Sequence, residues 1–173
     1  MALTAGNVRV AVTGTISSGP LGTALPTDTT TALNAALKDL GYASEDGITQ
    51  AISTDQTDIK AWQNGDVVRK IQTSHDLTYQ FTMIETSAEV LKVYYADPTA
   101  TASAIKIKGT QTDHLVWVIE VRDGAKTIRI CLPDAQVTER GDVSLKGDEA
   151  IGYDVTLTAY PDSTGTKAYI YMA

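Results

Sequence analysis

The sequence predicts a mainly β protein: an antiparallel β-sandwich or barrel with one flanking α-helix and a second, shorter helix. Three observations carry this. Apolar residues alternate with polar ones in five separate runs, the habit of strands with one buried and one wet face. One further run, HLVWVIEV at 114–121, is apolar on both faces and reads as a central strand covered on both sides. Only two stretches have helical spacing, 30–41 and 86–98.

Taken in order, Val8, Val10 and Val12 alternate with Asn7, Arg9 and Ala11 and predict a first strand. The stretch 14–29, rich in Gly, Pro, Ser and Thr, predicts a long loop. TTALNAALKDLG at 30–41 places Leu33, Leu37 and Leu40 at helical spacing with Gly41 as a stop, and predicts the shorter helix. A long hairpin is expected over 49–72, because Asn64-Gly65 supplies the φ > 0 pair of a type I′ turn. Trp62 then lies near its tip, one of only two tryptophans in the chain.

Leu77, Tyr79, Phe81 and Met83 alternate with Thr78, Gln80 and Thr82 as a strand leading into TSAEVLKVYYADP at 86–98. There Thr86 with Glu89 fits a capping box, Val90, Leu91 and Tyr94 form an apolar stripe, and Pro98 ends the helix. Ile105 and Ile107 predict a short strand between Lys106 and Lys108. After 114–121, Asp123-Gly124 marks a tight turn into a strand at 126–132, where alternation sets Cys131 on the polar face. Tyr153, Val155 and Leu157 give another strand, and KAYIYMA closes the chain with Tyr169 and Tyr171 on one face of an edge strand.

The chain has 173 residues without internal repeats or low-complexity linkers, so one domain over 1–173 accounts for it. A single cysteine rules out an internal disulfide. The start, MALTAGNVRV, lacks a basic n-region and an apolar h-region, so no signal peptide is expected and cytoplasmic synthesis is the default. No apolar run approaches the ~20 residues of a membrane-spanning helix. A net charge of −7 disfavours a tight grip on phosphate backbones, which needs clustered Lys and Arg.

Reactive constellations are sparse. His75 precedes Asp76, but strand neighbours point to opposite faces, so the two do not form a relay; His75 and His114 read as solvent-facing or core-edge histidines. One cysteine and two scattered histidines match no zinc spacing, and Cys131 reads as a small filler. SEDG at 44–47 lacks the repeated acidic spacing of a calcium loop. The glycines of SSGPLGT are not set between a strand and a helix as in a phosphate loop. The RGD tripeptide at 140–142 is too short to carry an adhesion reading. No catalytic residue, metal ligand or cofactor is assigned.

Three blocks in this order, LGYASEDGI at 40–48, DIKAWQNGD at 58–66 and IQTSHDLTYQFTMIETSAEVLKVYY at 71–95, resemble the major tail tube protein of long-tailed bacteriophages. The resemblance covers about half the chain by motif; residues 102–173 share only a layout of strands that many β-sandwiches have. It implies a non-enzymatic β-sandwich that assembles as hexameric rings, stacked into a hollow tube through which DNA passes. Contractile tails and type VI secretion tubes have the same architecture. The partners it implies are further copies of the chain, a tail-tip initiator, tape-measure and terminator proteins, and DNA as unheld cargo, with no membrane. The location it implies is the virion tail, built in the bacterial cytoplasm.

On that footing the subunit interface is expected at Ile59, Trp62, Asn64 and Gly65, since exposed aromatics bury a large area at small entropic cost. The bland alternative folds Trp62 back over its own sandwich. Glu120 and Asp154, on the polar sides of their strands, are the lumen-facing candidates. Residues 1–6, as a flexible arm, and the loop 14–29 are expected to become ordered on assembly. The rival reading is an immunoglobulin-like or carbohydrate-binding adhesion module, for which Tyr169 and Tyr171 are the nearest approach to a sugar platform.

Overall fold

A computed structural model of the chain describes residues 3–173. After a short 3-10 turn at Ala5–Asn7 come β1 (Thr13–Pro20), β2 (Lys38–Asp39), β3 (Ala43–Lys60) and β4 (Val67–Met83). They are followed by α1 (Ala88–Tyr95), β5 (His114–Asp123), β6 (Lys126–Arg140), β7 (Tyr153–Ala159) and β8 (Tyr169–Met172). All strand pairs are antiparallel, in the order β2-β1-β5-β6-β7-β4-β3, with β8 paired to β6. The fold is mainly β with one helix, consistent with a β-sandwich. Among the described residues β2 and β3 do not pair, so the sheet is open at both ends.

The sheet turns on itself because β6 serves two neighbourhoods. Its first half runs between β5 and β8 and its second half joins β7, with a register shift opposite Leu115–Trp117. Pro133 lies in that shift, where a residue without an N–H does least harm to a ladder. β5 is the central strand expected at 114–121, and alternation sends its residues into two apolar layers. Trp117 and Ile119 enter the main core with Tyr79, Phe81, Leu132 and Leu157, where the Phe81 and Trp117 rings meet edge-on at 6.1 Å. Val116 and Val118 enter a second layer with Leu37 and Cys131. Cys131 is therefore fully buried, not on a wet face, and burial pushes its thiol up to about 11. The second layer exists because Leu25, Leu33, Tyr169 and Tyr171 cover what the alternation presents as a solvent side.

α1 forms where the 86–98 stripe places it, and Val90, Leu91, Val93 and Tyr94 face the core. Its cap is Ser87, whose hydroxyl accepts from the Val90 amide, in place of the expected Thr86–Glu89 box; Glu89 binds Lys92. The helix ends at Ala96, in left-handed conformation at φ 53°, two residues ahead of Pro98.

Four further expectations fail for identifiable reasons. Residues 30–41 are not helical: Asp28 binds the Thr30 and Thr31 amides, the Asn34 side chain binds the Ala36 amide, and β2 pairs with β1. The three leucines divide between the two apolar layers instead of sharing one helical face, Leu33 and Leu37 in one and Leu40 in the other. The start of the expected 14–29 loop is strand β1; Gly14 serves close strand approach, since a Cβ there would lie 2.5 Å from the Glu120 carbonyl oxygen. Val8–Val12 lie outside the sheet with all three valines exposed. Ile105–Ile107 form no strand, because Asp97 binds the Lys106 amide and draws the backbone away. Of the arm expected over residues 1–6, residues 1 and 2 lie outside the described residues.

The turn from β2 into β3 depends on Gly41, at φ 76°. A Cβ there would overlap the Glu85 carboxylate, which accepts the Tyr42 amide at 2.9 Å. Gly41→Ala is expected to cost about 1–3 kcal/mol, combining left-handed strain with displacement of Glu85. Urea denaturation checks it: the midpoint falls while the slope is unchanged.

Candidate assembly interface

The hairpin expected over 49–72 is present as two long strands, not a loop. β3 and β4 pair from Ala43↔Met83 out to Lys60↔Val67, whereas β7 covers β4 only from Thr78 to Met83. Beyond Ile52 the pair is a free two-stranded ribbon. At a rise of ~3.4 Å per residue, Ile52 to Lys60 extends about 27 Å, against a radius of gyration of about 16 Å for a domain of this length. Two-stranded ribbons are at best marginally stable in water.

The ribbon closes over Trp62-Gln63-Asn64-Gly65, with the Ala61 amide bound to the Asp66 carbonyl at 2.7 Å. Asn64 and Gly65 have φ of 59° and 71°, the left-handed pair the sequence called for, in a four-residue loop rather than a two-residue one. Trp62 is 96% exposed, so it does not fold back onto its own sandwich. On the shaft, the register puts Ile59 and Ile71 on one face and the Asp58–Lys70 ion pair, at 3.4 Å, on the other. Val67 and Val68 are exposed below the tip. The structure thus groups Ile59, Trp62, Asn64 and Gly65 on one projecting element.

The two acidic candidates diverge. Glu120 does not sit on a wet face: it is 5% exposed and paired with Arg129, whose Nε donates to Oε1 at 2.7 Å. Arg129 Nη1 also donates to the Asp28 and Thr31 carbonyls at 2.7 and 2.8 Å, drawing the 28–31 segment over the pair. The covering loop is what period-two reading does not show. Its own anchor is Asp28, held well below the usual carboxylate range first by the Thr31 amide and then by the Thr31 hydroxyl and the Thr30 amide. The depressed value means this clasp contributes at and above pH ~4 and is lost as pH falls through the folded-state value.

Asp154 stays on the outer face of β7, half-buried, accepting from Gln80 Nε2 at 3.1 Å and Thr82 Oγ1 at 3.3 Å. Thr156 and Thr158 continue this polar face along β7, and Thr138 of β6 bonds across to Thr158. A floor of Thr, Gln and Asp thus lies over the main core.

The remaining chemistry is scattered. His75 is exposed on the ribbon; His114 Nδ1 lies 2.6 Å from Asp134 at the edge of the fold, a pairing that sequence separation hides. Among the described residues, the buried Trp117 Nε1 and Tyr79 hydroxyl find no hydrogen-bond partner, and burial pushes the Tyr79 pKa up to about 12. Among the described residues no cluster of three His, Cys, Asp or Glu is arranged to hold a metal ion. Nor, among the described residues, is any helix long and apolar enough to cross a membrane.

Known structures place the fold. A chain in the cryo-EM structure of the sheath/tube terminator of the PVC extracellular contractile injection system, extended state, is 10% identical with a TM-score of 0.52, over 96% of this chain and 99% of that one. A chain of the extended PVC sheath–tube complex is also 10% identical with a TM-score of 0.52, over 99% of this chain and all of that one. At such identity the likeness is one of fold. No curated protein sequence matches the chain. The family model of phage tail tube proteins matches residues 1–173, so the chain belongs to the phage tail tube protein family.

Proposed function

We propose that the chain is the repeating structural subunit of a phage-type tail tube, assembled as stacked hexameric rings around a channel through which DNA passes, and that it catalyses no reaction. One observation carries the reading: a paired ribbon projects about 27 Å from the body and ends in a bare tryptophan. An isolated chain gains nothing from that geometry, and a neighbouring copy can bury it. The Thr, Gln and Asp face over β4 and β7 suits the channel wall, with Asp154 its acidic member. A net charge of −7 leaves passing DNA no lattice of Lys and Arg to bind. The partners are other copies of the chain, a tail-tip initiator, tape-measure and terminator proteins, in a virion tail built in the host cytoplasm.

Sedimentation velocity across a concentration series, with and without a tail-tip complex as seed, tests the proposal. Large assemblies appearing above a threshold concentration, or on seeding, are expected. A monomer under both conditions overturns it.

A further inference from the structure

We propose that Trp62 is the knob of a knob-and-socket contact between copies, and that its socket is the groove between α1 and β1–β2 of the next chain. The inference rests on the tube-subunit reading for its occupant, a second copy, and adds the receiving site. The groove has a volume of about 330 Å³, at the small end of ligand-sized cavities. Its walls are apolar and fixed by the fold: Pro20 of β1, Val93 of α1, Leu115 of β5 and Val137 of β6.

Two features of the groove match the tip. Asp113 lines it, exposed and able to accept a hydrogen bond, which a buried indole N–H requires. Lys38 also lines it, its Nζ donating to the Ala35 carbonyl, as do Lys92 and Glu89, which are paired to each other, and the tip carries Asp66 opposite Ala61, beside the tryptophan. Lys38, which has no carboxylate partner among the described residues, favours both cation–π contact with the indole and pairing with Asp66. The groove between the ribbon root and β8 is a weaker socket, because Ile52 and Leu77 of the ribbon itself form part of its wall.

Knob and socket are different surfaces of one chain, so the contact is heterologous: each copy gives one and receives one, and the series closes into a ring or runs on. A copy without the knob still accepts one, so it terminates growth.

Cross-linking tests the contact. Gln63→Cys places a thiol beside the knob and Pro98→Cys one at the socket rim; both positions are exposed, while Cys131 is fully buried. The two variants are mixed at assembling concentration and treated with a short bis-maleimide. A Gln63–Pro98 linked pair is expected, with its yield falling more than about ten-fold when Trp62→Ala is added to the Gln63→Cys chain. Tubes without that cross-link, or a cross-link indifferent to Trp62→Ala, overturn the socket and leave the tube reading standing. Linked pairs without tubes keep the contact and overturn the tube reading. Neither product overturns both.

Discussion

Trp62→Ala is expected to abolish assembly at concentrations where the unchanged chain polymerises, while leaving the folded monomer as stable as before. The side chain is 96% exposed, so its loss removes no intramolecular packing and changes unfolding free energy by less than about 0.5 kcal/mol. In a subunit contact the same indole is a buried anchor, and truncating such an anchor costs about 2 kcal/mol or more. That is roughly a 30-fold rise in the concentration needed for each contact, repeated at every subunit. Tm of the dilute monomer and the assembly threshold, measured on one preparation, separate the two effects. A large fall in Tm would place Trp62 in the core of its own chain and remove the basis for a projecting interface. Fluorescence offers a parallel reading: Trp117 is fully buried, so any blue shift of emission on assembly reports on Trp62.

Glu120→Ala has the largest expected effect on stability. It strips the partner from Arg129, both side chains being 6% exposed, and strands a guanidinium inside the protein. Breaking a buried pair from one side costs about 3–5 kcal/mol, or roughly 6–20 °C in Tm for a domain of this size. Replacing both charges, as Glu120→Leu with Arg129→Met, should restore much of the loss, since an apolar pair escapes the desolvation cost. Recovery will be incomplete, because the Asp28 and Thr31 carbonyls lose the donor that holds the 28–31 segment. A change within about 0.5 kcal/mol for Glu120→Ala would mean that the carboxylate is solvated after all, as a channel wall would have it.

That pair also marks where the sequence stops being readable. Period two identified β4, β6, β7 and β8, and a run apolar on both faces identified β5, because each has at least one apolar set aimed at a core. It also set Glu120 and Cys131 on a wet face. Which side of β5 and β6 is covered depends on the 21–37 segment crossing it, a contact between residues about 100 apart. The same segment defeated the helix at 30–41, where Asp28 and Asn34 offered the backbone local partners and the leucines served two layers.

β1 was hidden by its composition. Glycine and serine read as loop, yet here they let β1 lie close against β5. Conversely, Val8, Val10 and Val12 have a strand's alternation but are exposed outside the sheet. The ribbon was the most legible part of the candidate site, since Asn64-Gly65 announces its own turn. Its reach beyond the sheet was not, because that depends on β7 stopping at Thr78 of β4.

The central claim is that this chain polymerises into a hollow tube, and electron microscopy of the purified protein, seeded with a tail-tip complex, tests it most directly. Stacked rings around an open channel, absent in Trp62→Ala, are the predicted result; discrete unassembled particles in every seeded field would contradict it.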